Sequence, residues 1–130
     1  MCEIRAIIAG TKNFADYFVL KENCDRIIQD MVTKTHSSDI RIIGGSTWKT
    51  DCLSEQYAKE KGYVISHFDI KRSKYGFSAG KHRTEQMIKY ASADDNVGVL
   101  IAFGDENSKK VKQMIECAKE QKLQIHVVRE

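Results

Sequence analysis

The stretch Ile40-Arg41-Ile42-Ile43-Gly44-Gly45-Ser46-Thr47-Trp48-Lys49-Thr50-Asp51 holds the residue types and spacing best suited to chemistry. A short apolar strand runs into a glycine pair, then small hydroxyls and a base, then a capped helix. Glycines let the backbone turn sharply and come close to a ligand where a Cβ would collide. A helix starting at Thr50 or Asp51 leaves free N–H groups, and the positive end of its dipole, facing that turn. Such a place suits an anion, most often a phosphate. Many Gly-Gly pairs before helices are plain turns, so the reading depends on what converges with this one. Three other junctions do: Gly10-Thr11-Lys12-Asn13, residues 69–80, and Gly104-Asp105-Glu106-Asn107-Ser108. Thr11, Ser46, Thr47 and Thr50 can donate to phosphate oxygens, or cap turns as small hydroxyls routinely do.

The elements that must position these junctions follow from hydrophobic periodicity. Residues 4–9 form a nearly continuous apolar run, the signature of a strand covered on both faces of a parallel sheet. Tyr17, Leu20, Cys24, Ile27, Ile28 and Met31 recur at helical spacing, which predicts a helix over about 15–33 with Asp16 in its first turn. A strand at 40–43 is followed by a helix over 51–61, with Leu53, Tyr57 and Ala58 inward and Gly62 ending it. Residues 63–68 read as the third strand. A basic, tyrosine-bearing loop over 69–78 leads into a helix carrying Arg83, Met87, Ile88 and Tyr90. Residues 97–103 are the strongest buried-strand signal. A helix over 109–121, with Val111, Met114, Ile115 and Ala118 at helical spacing, precedes a last strand at 123–128. Strand and helix thus alternate along the whole chain. The expectation is an α/β, Rossmann-like, three-layer α/β/α domain spanning 1–130, with a five-stranded, mainly parallel sheet. Ligands in such folds bind beyond the carboxyl ends of the strands, where all four junctions leave.

Composition narrows the class. A chain of 130 residues with 42% hydrophobic content fits one domain with one core. No apolar run approaches the roughly 18–20 residues of a membrane span, and the amino terminus lacks a signal-peptide layout. A cytoplasmic protein without membrane contact is expected. Cys2, Cys24, Cys52 and Cys117 are scattered, with no C-x-x-C pair or His/Cys cluster, so free thiols and no metal are expected. A net charge of +3 with interleaved acids and bases does not demand nucleic acid as a partner.

Several stretches resemble the YspA-like branch of the SLOG superfamily, the Rossmann-like group that includes DprA/Smf and LOG proteins. Ile7-Ile8-Ala9-Gly10-Thr11-Lys12-Asn13-Phe14-Ala15-Asp16-Tyr17 is similar to the opening "IIAGSRxFxDY". Gly44-Gly45 through Asp51, then Tyr57-Ala58-Lys59-Glu60-Lys61-Gly62, resembles "GGARGAD…YAKERG" with one extra residue. Lys74-Tyr75-Gly76, Ala79-Gly80, Arg83 and Met87 resemble "KYGKAAGxxRNxxM"; Ala102-Phe103 and Ser108-Lys109 resemble "AFWDGxSxGT". The resemblance implies a nucleotide-type ligand, a nucleoside monophosphate or an ADP-ribose-like molecule. LOG proteins cleave the N-glycosidic bond of a nucleoside monophosphate with an arginine of an "R-x-x-x-M" helix and a glutamate after a "GGxGT" turn. Arg83 and Met87 match the first element. In the second, Lys110-Val111 stands for the Gly-Thr, and Met114 stands where the glutamate belongs.

Glycosidic cleavage needs a carboxylate to stabilise an oxocarbenium-like charge. Without the motif glutamate, catalysis would fall to Arg83 with Glu85 or Glu106, and Asp105 is a further nearby acid. Binding survives such changes more easily than turnover. The leading expectation is therefore a binding protein that senses or sequesters a nucleotide-derived molecule, without a cofactor; a phage origin fits that format. A LOG-like phosphoribohydrolase is the alternative, and DprA-like single-strand DNA binding the third. The expected ligand contacts are Gly10, Thr11, Lys12, Gly44, Gly45, Ser46, Thr47, Trp48, Tyr75, Arg83, Gly104, Ser108, Lys109 and Lys110. Lys109 and Lys110 would act as point charges. Arg83 either grips phosphate through paired hydrogen bonds or is a surface base paired with Glu85 or Glu3. Trp48 either stacks on a base or covers a neighbouring subunit in a homo-oligomer.

Overall fold

A computed structural model describes residues 3–10, 16–44, 49–67, 79–93, 96–103 and 109–128, with only the backbone at Gly10, 49–52, His67, 79–82 and Lys110. The order is β1 (Ile4–Gly10), α1 (Tyr17–Thr35), β2 (Ile40–Gly44), α2 (Lys49–Lys61), β3 (Val64–His67), α3 (Ala79–Ser92), β4 (Val97–Phe103), α4 (Lys109–Glu120) and β5 (Gln124–Val128). The strands form one sheet in the order β3-β2-β1-β4-β5, every neighbouring pair parallel. The expected α/β, Rossmann-like architecture is what forms, with a sheet that is parallel throughout.

Alternation along each strand divides the core. Ala6, Ile8, Ile42, Val99, Ile101 and Phe103 pack against Leu20, Cys24, Ile27, Ile28 and Met31 of α1 and Tyr57 and Ala58 of α2. Ile7, Ala9, Ile43 and Leu100 pack on the other face against Met87, Ile88 and Ala91 of α3 and Met114 and Ala118 of α4. Right-handed crossovers require this division. The chain steps outward from β1 to β3 with its helices on one face, then returns to β4 and continues with helices on the other.

Helix ends explain where the boundaries differ from the periodicity. Asp16 lies outside α1 as its N-cap, with Oδ1 accepting from Val19 N at 3.1 Å, so the helix starts at Tyr17. It ends at Thr35, because His36 takes the left-handed conformation and its N–H bonds Val32 O. α2 starts at Lys49, slightly before the expected cap, and ends as expected at Gly62, whose φ is 75°. There Tyr63 N bonds Ala58 O at 2.9 Å, the six-to-one bond of a Schellman end. The same closure ends α4, with Lys122 at φ 59° and Leu123 N on Ala118 O at 3.0 Å.

Close approach decides two glycines. A Cβ on Gly98 would lie 2.9 Å from Leu123 Cγ and 3.0 Å from Ala91 O, so its absence lets the end of α3 sit on β4. A Cβ on Gly44 would meet Ser54 Oγ of α2 at 2.8 Å. Of the thiols, Cys24 is buried and Cys117 half-buried, and neither is in a disulfide.

Candidate functional site at the carboxyl edge of the sheet

Each described helix follows a strand and runs back against it, so α1, α2, α3 and α4 all begin at the edge where the strands end. Free N–H groups and positive dipole ends therefore gather at that edge. β1 lies between β2 and β4, and Gly10 pairs in register with Phe103. From β1 the chain departs to α1 on one face, and from β4 to α4 on the other. The gap between Gly10 and Phe103 is thus the topological switch point, where ligands bind in open α/β sheets.

Thr11, Lys12, Gly45, Ser46, Thr47, Trp48, Tyr75, Gly104, Asp105, Glu106 and Ser108 lie outside the described residues, as do the side chains of Thr50 and Lys110. The ends that anchor their segments are Gly10, Gly44, Phe103 and the first residues of α1, α2, α3 and α4, and these share the edge. Gly44 has its own structural reason, since the space of its missing Cβ is taken by buried Ser54. Lys109 is exposed in the first turn of α4.

Arg83 is buried, at 6% exposure, near the amino end of α3. It continues the stripe Met87, Ile88 and Ala91 that α3 lays on the sheet, and Thr84 beside it is equally buried. It is therefore no surface base, and it has interactions within the protein. Glu3, one of its two suggested partners, is committed elsewhere. Glu3 Oε1 accepts from Arg5 Nε at 2.9 Å and from Arg41 Nε at 3.0 Å. Glu85, the other, lines a cavity of about 220 Å³ with Lys89 of α3 and Cys117 and Glu120 near the carboxyl end of α4. Two residues apart on a helix, Arg83 and Glu85 diverge by about 200°, and the structure does not bring them together. Met114 is a core residue packed with Met87, Ile88 and Leu100.

A polar network at the opposite, amino end of the sheet escaped the sequence reading. Arg5 and Arg41 are partners across β1 and β2. Arg41 Nη1 donates to Ser66 Oγ at 2.9 Å, and Arg5 lies 4.0 Å over the ring of Tyr90 while donating to Tyr90 O. Burial pushes the Glu3 carboxyl up, but hydrogen bonds from Arg5 and Arg41 outweigh it and hold the group below its ordinary range. The signal was present as the repeated Ile-Arg-x-Ile of Ile4–Ile7 and Ile40–Ile43. Only parallel pairing in register turns that repeat into two adjacent cations.

Among the described residues no group of His, Cys, Asp or Glu is placed to hold a metal ion, and no helix is long and apolar enough to cross a membrane. No family model, curated protein or solved structure matches this chain, so the resemblance to the SLOG superfamily rests on the quoted motifs.

Proposed function

We propose that this chain binds a nucleotide-derived small molecule, a nucleoside phosphate or an ADP-ribose-like signal, at the carboxyl edge of its sheet. It would act there as a sensor or a sequestering protein. The observation that carries the reading is Arg83, a guanidinium at 6% exposure near the amino end of α3. It stands on the helix whose amino end joins that edge, and a ligand phosphate there would add a bidentate partner to the interactions Arg83 already has within the protein. The helix amino ends at the same edge would add N–H donors.

Binding without turnover is favoured over hydrolysis by two placements. Met114 is packed in the core, and Glu85 lies toward the far end of α4. Neither offers a carboxylate beside Arg83, and a phosphoribohydrolase reading is left with Glu106 and Asp105. Self-association, from the resemblance, a cytoplasmic location, from the amino-terminal sequence, and a phage origin, from the small single-domain format, belong to the proposal as expectations.

Two measurements test it. Heat-released small molecules from the purified protein are identified by mass spectrometry, and melting is followed with AMP and with ADP-ribose. A bound ligand raises the melting temperature by mass action. Arg83→Met is expected to weaken that ligand at least about tenfold, with the stability of the free protein measured alongside to separate lost binding from lost folding. Release of free base or ribose phosphate would establish the hydrolase instead. Oligonucleotide retention that falls steeply with salt would establish nucleic-acid binding. No melting shift with either nucleotide, and no co-purified ligand, would overturn the proposal.

A further inference from the structure

The sheet has two open edges, β3 with four residues and β5 with five. Alternate N–H and C=O groups of an edge strand point outward, and among the described residues no strand lies beyond β5. Proteins block such edges with a charged side chain, a proline or a bulge. β5 has none of these. It reads Gln124-Ile125-His126-Val127-Val128, without lysine, arginine, acid or proline, and pairs with β4 residue for residue. Its side chains are only partly covered as well. Ile125 and Val127 share the face of Leu100 and Ala102, and Ile125, like Ile115 of α4, is half-buried there. His126 and Val128 share the opposite face, beside Ile101 and Phe103, which is the face that α1 covers.

The half-buried His126 is the middle residue of this edge, and the charges that act on it come from α1. They are Arg26, Asp30 and Lys34, each a turn after the last. Asp30 pairs with Lys34 at 3.0 Å, and Arg26 donates to the neutral Asn23 at 3.1 Å. From the sheet, Ile101 of β4 and Gln124 and Val128 of β5 share its face and carry no charge. Burial, then the positive charges of Arg26 and Lys34, lower the pKa of the ring against the pull of Asp30, so the imidazole is neutral near pH 7.

We infer that β5 is the docking edge for a second copy of this chain, paired antiparallel about a two-fold axis at His126, and that acid parts the two. In this pairing Ile125 meets the second copy's Val127 and Val127 its Ile125, giving two β-branched pairs on one face. On the other face His126 meets its own counterpart, and Gln124 meets Val128. A second copy is the occupant because the strand is complementary to itself under this operation: apolar side chains meet apolar ones, and no charge within the strand is left facing the joint. The edge at β3 is the poorer one, being a residue shorter, with Ser66 held by Arg41. Protonation places two imidazolium rings opposite each other, each with Arg26 and Lys34 behind it, and like charges directly opposite are destabilising. The dimer therefore takes up protons less readily than the free chain, and association is lost as pH falls. None of this depends on the nucleotide reading, whose site lies at the ends of the strands.

Sedimentation equilibrium of the full chain at about pH 7.5 and about pH 5.5 tests this. A dimer is expected at the higher pH, with its dissociation constant at least about tenfold weaker at the lower. His126→Gln, which cannot take up the proton, is expected to dimerise equally at both. His126→Arg, charged throughout, is expected to stay monomeric at both, with a cooperative melt showing that it folds. Dilution of uniformly ¹⁵N-labelled protein should shift backbone amides at 124–128. A monomer at the higher pH, a dimer indifferent to pH, a His126→Gln dimer that acid still parts, or dilution shifts away from β5 would each overturn the inference.

Discussion

Glu3, Arg5, Arg41 and Ser66 at the amino end of the sheet, and Gly10, Gly44 and Arg83 toward its carboxyl end, set two treatments of polarity side by side. At the amino end the chain satisfies itself. One carboxylate oxygen joins two arginines, Ser66 takes a third bond, Glu3 N bonds Asn96 Oδ1 at 2.9 Å, and Glu3 O accepts from Val97 N at 3.0 Å. At the carboxyl end the topology gathers helix amino ends around the switch point, and a buried cation stands near them. The lesson is that closed networks spend polar groups on holding the fold, whereas an edge of aligned N–H groups is complementary to something else. Substitutions at the amino end should therefore cost stability, and Arg83→Met at the carboxyl end should cost binding.

The largest stability effect is expected at Gly98. Its new Cβ in Gly98→Ala would press on the backbone carbonyl of Ala91, which cannot step aside. A loss of about 3 kcal/mol is expected, the upper part of the overpacking range, read as a lower urea midpoint. A loss smaller than about 1 kcal/mol would mean that α3 is not tightly seated there.

Glu3→Gln comes next, at about 2 kcal/mol near neutral pH, because it leaves two half-buried arginines sharing a neutral acceptor. Its pH dependence sharpens the comparison. The folded-state carboxyl titrates below its ordinary value of 4.5, so the folded protein holds fewer protons than the unfolded one in that range. The contribution of Glu3 is present in full above the ordinary value and fades as pH falls through the lower folded one. The gap between wild type and Glu3→Gln should therefore close on acidification. A gap that stays constant down to strongly acidic pH would break the account of the network.

Gly44→Ala should cost about 1 kcal/mol, since its Cβ meets only Ser54 Oγ closely, while Ser54 Cβ lies at 3.9 Å. Adding Ser54→Ala removes the clashing oxygen, and a double-mutant cycle should show the two changes to be less than additive. Strict additivity would assign the Gly44 requirement to the carboxyl-edge turn rather than to the packing of α2.

The smallest effects are gains. His36 and Lys122 hold φ values of 57° and 59° just past α1 and α4. Glycine there relieves the Cβ strain, offset in part by the greater freedom of the unfolded chain. His36→Gly and Lys122→Gly should each stabilise by about 0.5–1 kcal/mol in thermal or urea melts, without touching ligand binding.

Much of the fold was legible in advance because burial on both faces forces continuous apolar strands, and one-sided burial forces helical stripes. The runs at Ile4–Gly10 and Val97–Phe103, and the α1 stripe from Leu20 to Met31, lie where the periodicity puts them. The candidate site was legible only in part. Gly10 and Gly44 close their strands, and Arg83 shares a face with Met87. The expected pairing of Arg83 with Glu85 was not legible correctly, since the two diverge on α3 and Glu85 turns to the cavity beside the end of α4.

Local pattern alone thus determined the element order, the inward faces and the glycine end of α2, because each is set by contacts within a few residues. The partners of Glu3 and of Asp25 and the claim of Ser54 on the space beside Gly44 were decided only by tertiary structure. They join residues far apart in the chain, such as Glu3 and Arg41 or Asp25 and Lys61. Such pairings depend on strand register and on where two helices of unequal length come to lie, quantities that no single segment encodes.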